Sequence, residues 1–283
     1  MKYLLIGAGG MLARALSEAA ARRNSQVVGL DLPAFDLTDE AQVKAAVAPG
    51  YDAVLNASAY TNVDAAESDE ARATLINGQG VAYLAEACAA QGVPLVHYST
   101  DYVFAGNAKS PYRVDEPLAP LGAYGRSKAV GEQAIRAAGS EHLILRTSWL
   151  YAPWANNFVR TIYRVSSQKS SLGVVDDQRG RPSSAEHLAR VSFALLDKNA
   201  RGTLHVTDGG ECTWFEFATE IVRLSGHACT VEPRSTEQYT AEYPRPAKRP
   251  PYSVLDLAPT EALVGAMTPW QENLADVMKR LEP

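Results

Sequence analysis

The chain has 283 residues, 46% of them hydrophobic and 21% charged, with a formal charge of -5. These are ordinary values for a globular protein that buries a core without staples, and the length allows one large domain or two small ones. The acidic balance excludes a general nucleic-acid binder, which needs clustered Lys and Arg for phosphates, and points to a small-molecule partner.

KYLLIGAG reads as a strand entering a glycine turn, MLARALSEAAARR as a helix, and QVVGLD as a strand ending in an acid. The opening run MKYLLI is too short for a signal peptide or a membrane span, so a cytoplasmic location and no membrane partner are expected. DEAQVKAAVA follows as helix, YDAVLNAS as strand, ESDEARATLINGQGVAYLAEACAAQG as one long helix, and VPLVHYST as strand. AYGRSKAVGEQAIRAA is the next helix, and HLILRTSWLY a strand that runs out into aromatic residues. Short apolar runs separated by helices predict parallel strands covered on both faces, a doubly wound α/β sheet of the Rossmann kind.

The second half is less regular. NNFVRTIYRVSSQ, SAEHLARVSFALL and TWFEFATEIVRLSG read as helices, LGVVDDQRGRP as strand and loop, and YPRPAKRPPY cannot be regular helix because its prolines remove donors. The expected organisation is a dinucleotide-binding domain over 1–148 and a mainly substrate-binding region over 149–283 that partly returns to the first. Cys88, Cys212 and Cys229 are odd in number with no CxxC, and the five histidines show no HExxH spacing, so neither a disulfide framework nor a metal hydrolase is indicated.

Two motifs carry chemistry. GAGGMLA follows a strand and opens a helix, and an acidic strand end, Asp31, comes about twenty residues later, the arrangement that binds a dinucleotide. Gly7, Gly10 and Ala13 fit GxxGxx[GA], with Leu12 where the GxGxxG form needs glycine. Asp31 suits a ribose hydroxyl and leans toward NADH, with Arg14 as the candidate partner for the 2′-phosphate of NADPH. The second motif is Tyr124 and Lys128, four residues apart and therefore on one helix face, where an ammonium can bring a phenol toward neutrality and make it a useful proton donor. Such a pair suits the interconversion of a carbonyl and an alcohol, and Thr100, at the end of the strand LVHYST, is placed to hydrogen-bond the same carbonyl.

GAGGMLA, NASAYTNVDAAE, HYSTDYVFAG, AYGRSKAVGE, LRTSWLYA, VVDDQRGRPSS and RPAKRPPYSVLD together resemble, in order and over nearly the whole chain, the dTDP-4-dehydrorhamnose reductase family of the extended short-chain dehydrogenases. The resemblance implies NADPH or NADH as cofactor and dTDP-4-dehydro-L-rhamnose as the nucleotide-sugar partner. Tyr124 inherits the acid role, Lys128 the nicotinamide ribose, and Thr100 and Asp101 the sugar. It also implies Gly10, Met11 and Leu12 along the pyrophosphate, Asp31 on the adenine ribose, Asp36 and Leu37 near the adenine, and Ala59, Tyr60 and Thr61 as a further cofactor contact. Trp149, Val63 and the pair Asn156 and Asn157 match substrate-side positions.

Some members of that family are dimers joined through magnesium held by glutamates. Here Ala15 stands where one of them would be, leaving Glu186, so no magnesium requirement is expected and a homodimer is left open. Two rival readings stand beside the reductase. One is a reductase or epimerase of another nucleotide-linked 4-ketosugar; the other is a non-catalytic NAD(P)-binding regulatory subunit resembling the β subunit of methionine adenosyltransferase, for which Tyr124, Lys128 and Thr100 would have no chemical use.

Overall fold

A computed structural model describes residues 1–281. Five strands come from the first half: β1 (Lys2–Ile6), β2 (Gln26–Leu30), β3 (Ala53–Asn56), β4 (Leu95–Thr100) and β5 (His142–Thr147). The second half adds β6 (Leu150–Tyr151), β7 (Ser171–Val175), β8 (Arg179–Gly180), β9 (Ser183–Ser184), β10 (Gly202–His205), β11 (Cys212–Thr213) and β12 (Thr230–Arg234). The central sheet runs β10-β5-β4-β3-β1-β2, every neighbouring pair parallel. This is the expected doubly wound α/β sheet.

Burial follows from the sequence pattern. Every residue of β3 and β4 is buried, as parallel strands between two helical layers require. One face carries the helix Met11–Arg22, whose Leu12, Leu16 and Ala20 share a core with Leu188 and Phe193 of the helix Ala185–Asp197. The other face is covered by the helix Gly80–Gln91 through Leu84, Ala85 and Cys88. A separate core of Tyr151, Val159, Phe217, Ile221, Trp270 and Leu274 lies in the second half. Strand β10 comes from that half and yet pairs with β5 in the central sheet, a strand the apolar pattern of the sequence did not single out.

Two predicted elements differ. The long helix is interrupted: Glu70–Thr74 and Gly80–Gln91 are α-helical, and Leu75–Gln79 between them is a π-helical turn. The turn swings the Asn77 amide inward, where it bonds Tyr60 N (2.8 Å), Tyr60 O (3.0 Å) and Ser127 Oγ (2.9 Å). One buried amide thus joins the loop after β3 to the helix Ala123–Ala137. The strand HLILRTSWLY also breaks, because Trp149 adopts φ 47° and redirects the chain from β5 into β6, which pairs with β9 instead of extending the sheet.

The chain leaves β1 for β2 on one side and returns to β3 on the other, so a crevice opens beyond the carboxyl ends of these strands. The candidate residues gather there.

Candidate active site

A cleft of about 650 Å³ lies beyond the ends of β1, β3, β4 and β5. Its wall includes Gly7, Gly10, Met11, Leu12, Asp31, Asp36, Leu37, Ala59, Thr61, Val63, Thr100, Asp101, Tyr124, Lys128 and Trp149. Residues spread over most of the first 150 positions thus face one space.

The glycine turn fits a dinucleotide. Gly7 has φ +79°, and a Cβ there would meet the Ser58 backbone at 2.7 Å, so only glycine lets the chain turn this close to the β3 loop. The helix Met11–Arg22 begins at Gly10 with no side-chain cap, leaving its first N–H groups for an anion. Asp31 is pinned by Gly9 N on Oδ2 (2.7 Å) and Leu32 N on Oδ1 (2.8 Å), which holds the carboxylate beside the turn. Asp36 takes Thr38 N and Oγ1, both at 2.8 Å, into a local turn. Arg14 is spent elsewhere: it bonds Glu18 at 3.0 Å and stacks over Trp154, and it does not line the cleft.

The reactive wall is built by the helix Ala123–Ala137 pressed against the short 3-10 turn Asp101–Val103. A Cβ on Gly125 would lie 2.2 Å from Tyr102 O, so this glycine is what lets the helix seat with Tyr124 at the cleft. Tyr124 is half-buried and meets Tyr102 edge-on at 5.8 Å. Lys128 is buried, with Nζ on Tyr98 O (2.7 Å) and His97 Nε2 (3.1 Å).

The expectation that Lys128 acidifies Tyr124 is not met. Burial, helped by the Asp101 carboxylate, raises the phenol above its ordinary range, with only the Thr100 hydroxyl working the other way. Burial also pushes Lys128 itself down to about 8. The helix-face argument leaves out desolvation, which leads the upward shift of the phenol, and it leaves out the partners of Lys128 Nζ, which are Tyr98 O and His97 Nε2.

Thr100 Oγ1 donates to Asp101 Oδ1 at 2.9 Å, while Asp101 Oδ2 is buried without a hydrogen-bond partner and burial pushes this carboxyl up to about 6. Trp149 stacks on Trp214, ring centroids 3.6 Å apart and 12° from parallel, so one indole face is covered. Two expected residues lie off the cleft. Tyr60 is held through its backbone by Asn77 and packs beside Tyr124 against Ala66, Ala73 and Ala123. Asn157 caps the helix Phe158–Ser166 and donates to the carbonyls of Ala152, Trp154 and Ala155, whereas its neighbour Asn156 does line the cleft.

The sequence reading also missed a second cleft of about 1030 Å³, which meets the first at Tyr102. Trp214, Phe158, Tyr239, Lys169, Lys248 and Arg234 lie along it. One rim is the proline-rich segment, fastened by Arg245 and Arg249 to Asp64 Oδ2 at 3.2 and 2.8 Å. Its signal in the sequence is the run of basic residues between prolines that cannot form a helix.

The RmlD substrate binding domain family matches residues 1–282. A probable dTDP-4,6-dihydroxy-2-methyloxan-3-one 4-ketoreductase of Streptomyces antibioticus is 41% identical over 90% of this chain and 86% of its own. Among solved structures, a dTDP-4-dehydrorhamnose reductase from Clostridium acetobutylicum has a TM-score of 0.93 at 38% identity, covering 99% of both chains. One from Bacillus anthracis, in complex with NADP, has a TM-score of 0.91 at 33% identity over 98% of both. With its glycine turn, pinned Asp31 and Tyr124 wall around one crevice, this chain belongs to the dTDP-4-dehydrorhamnose reductase family of NAD(P)H-dependent oxidoreductases.

Proposed function

We propose that the protein reduces the 4-keto group of dTDP-4-dehydro-L-rhamnose to give dTDP-L-rhamnose, with Tyr124 as the proton donor. The observation that carries this is the convergence of Tyr124, Thr100 and Asp101 on the cleft that also holds the glycine turn. Gly7, Gly10, Met11 and Leu12, with Asp31 at the adenine ribose, would hold NAD(P)H, which would supply the hydride for the carbonyl carbon. Tyr124 keeps its proton in the ground state, because burial has raised its pKa, and gives it to an oxygen that becomes more basic as it turns into an alkoxide. Thr100 holds that oxygen once its hydroxyl turns from Asp101 Oδ1, and the free Oδ2 of Asp101 is available to a sugar hydroxyl. Lys128 fixes the nicotinamide ribose.

The region 149–283 is assigned to the substrate, with β10 and the helix Ala185–Asp197 returning to the dinucleotide half. In this reading the thymidine diphosphate lies along the second cleft, its base against aromatic residues such as Trp214 and Tyr239 and its phosphates near Lys169 and Lys248. Trp149 and Trp214 together wall the sugar from water.

Tyr124→Phe should lower kcat by about 10²- to 10⁴-fold while NADPH still binds, since only the donated proton is lost. Wild-type turnover in that variant would end the assignment. The Streptomyces antibioticus relative favours a second reading, another dTDP-linked 4-ketosugar. A panel of such sugars, followed by loss of NADH or NADPH absorbance, ranks the substrates and cofactors; binding of cofactor with no oxidation on any of them would point to a regulatory subunit.

A further inference from the structure

A third cavity, of about 370 Å³, lies against the helix Phe158–Ser166. The helical period sets it on a different face from the second cleft. Phe158, Ile162 and Val165 line that cleft, whereas Arg160, Tyr163 and Arg164 line this cavity. Thr161 borders both, and Asn156 is shared with the first cleft.

What this cavity offers is positive charge. Arg160 and Arg164 stand one turn apart on the helix, a spacing at which two like charges repel. Exposed arginines elsewhere on the surface meet a carboxylate, as Arg14, Arg23, Arg126 and Arg223 do. Here none is on offer: the described residues that line the cavity include no Asp or Glu. Arg160 is held by donating from Nη1 to Pro153 O at 2.5 Å, which orients the guanidinium and leaves its other N–H groups for a ligand. His227 completes the lining. Its Nδ1 is fixed by Ser166 Oγ at 2.8 Å and its ring packs beside Tyr163, centroids 4.9 Å apart, so Nε2 is the nitrogen left for a ligand.

We propose that this cavity binds a phosphate group, Arg160 and Arg164 donating to its oxygens. His227 Nε2 accepts the O–H of hydrogen phosphate or, carrying a proton, donates to a phosphate ester. Two guanidinium forks suit an anion that presents several oxygens, and its charge removes the repulsion along the helix. The site is separate from the glycine turn and from the second cleft, so it does not rest on the cofactor and substrate placements given above.

The test uses the full chain with NADH bound, so that the glycine turn is occupied. Protein carrying nitrogen-15 histidine is titrated with inorganic phosphate at constant ionic strength, sodium chloride giving the baseline, and the ring nitrogens are followed by long-range proton–nitrogen correlation. His227→Gln assigns the signal. The expected result is a saturable shift of His227 while the other histidines stay in place. Arg164→Gln, an exposed change that keeps a good helix former, should raise the Kd for phosphate at least about tenfold, as the loss of a charge-assisted hydrogen bond implies. A parallel titration with glucose 1-phosphate names the source: tighter binding than inorganic phosphate assigns the site to a phosphate ester, weaker binding to the free ion. A His227 signal that does not move, that drifts without saturating, that moves equally with chloride, or that keeps its affinity in Arg164→Gln would overturn the proposal. No turnover is read, so the outcome is independent of Tyr124→Phe.

Discussion

The helix that carries Tyr124 and Lys128 is tied to the sheet by a buried ion pair, and breaking it should have a large effect. Glu132 is 0% exposed and Arg146 1%. The carboxylate takes both arms of the guanidinium, Nε at 2.9 Å and Nη2 at 2.7 Å, and a further bond from Arg136 at 2.8 Å. Arg146 also donates to Val114 O at 3.1 Å and lies over the Phe104 ring at 4.8 Å. Glu132→Gln keeps the shape but leaves a buried guanidinium without its counter-charge, a loss of about 3–5 kcal/mol. For a chain of this size that lowers the melting temperature on the order of 10 °C. Turnover should fall as well, because Lys128 is one turn away on the same helix.

The control is a double variant, Glu132→Leu with Arg146→Met, which removes both charges and should melt higher than Glu132→Gln. Thermal denaturation followed by circular dichroism compares the three proteins. If the double variant is no better than the single one, packing rather than charge holds the helix, and the reasoning is refuted. The pH dependence has a definite sign. Burial pushes the Glu132 carboxyl up, but Arg146, Ser99 and Arg136 outweigh it and hold it below its ordinary value. Its contribution is therefore full above the unfolded carboxylate pKa and is lost as pH falls through the lower folded value.

Asp101 should behave in the opposite way. Burial pushes it up to about 6, so the folded chain keeps a proton that the unfolded chain has released, and stability falls as pH rises through that window. Asp101→Asn should accordingly be more stable than wild type at pH values above that window, by roughly 3 kcal/mol, and melt higher, while KM for the sugar rises; an unchanged or lower melting temperature would contradict this. Magnesium removal should change neither activity nor oligomeric state. Glu186 is engaged by both arms of Arg280, and no group of three or more metal-ligating residues occurs among the described residues. Loss of activity on chelation that magnesium add-back restores would show this to be wrong.

Much of this protein is local chemistry and could be read directly. Glycine spacing after an apolar run, Asp31 at the next strand end, and Tyr124 and Lys128 four residues apart are statements about a few bonds along the chain, so the parallel sheet, the glycine turn and the Tyr124–Lys128 pair were visible in the letters. What the residues feel was not. The environment of Tyr124 and Lys128 depends on how much water each has lost and on His97 and Tyr98, about thirty residues before Lys128, and here burial leads the upward shift of the phenol. Asn157 and Asn156 are adjacent in sequence, yet one caps a helix and the other lines the cleft. Trp214 sits in an ordinary capped helix start, and only the fold brings its ring onto Trp149. The π-helical turn that aims Asn77, the return of β10 to the sheet and the cleft behind Tyr102 likewise arise where distant segments compete for the same space and the same hydrogen-bond donors, a competition that chain order does not encode.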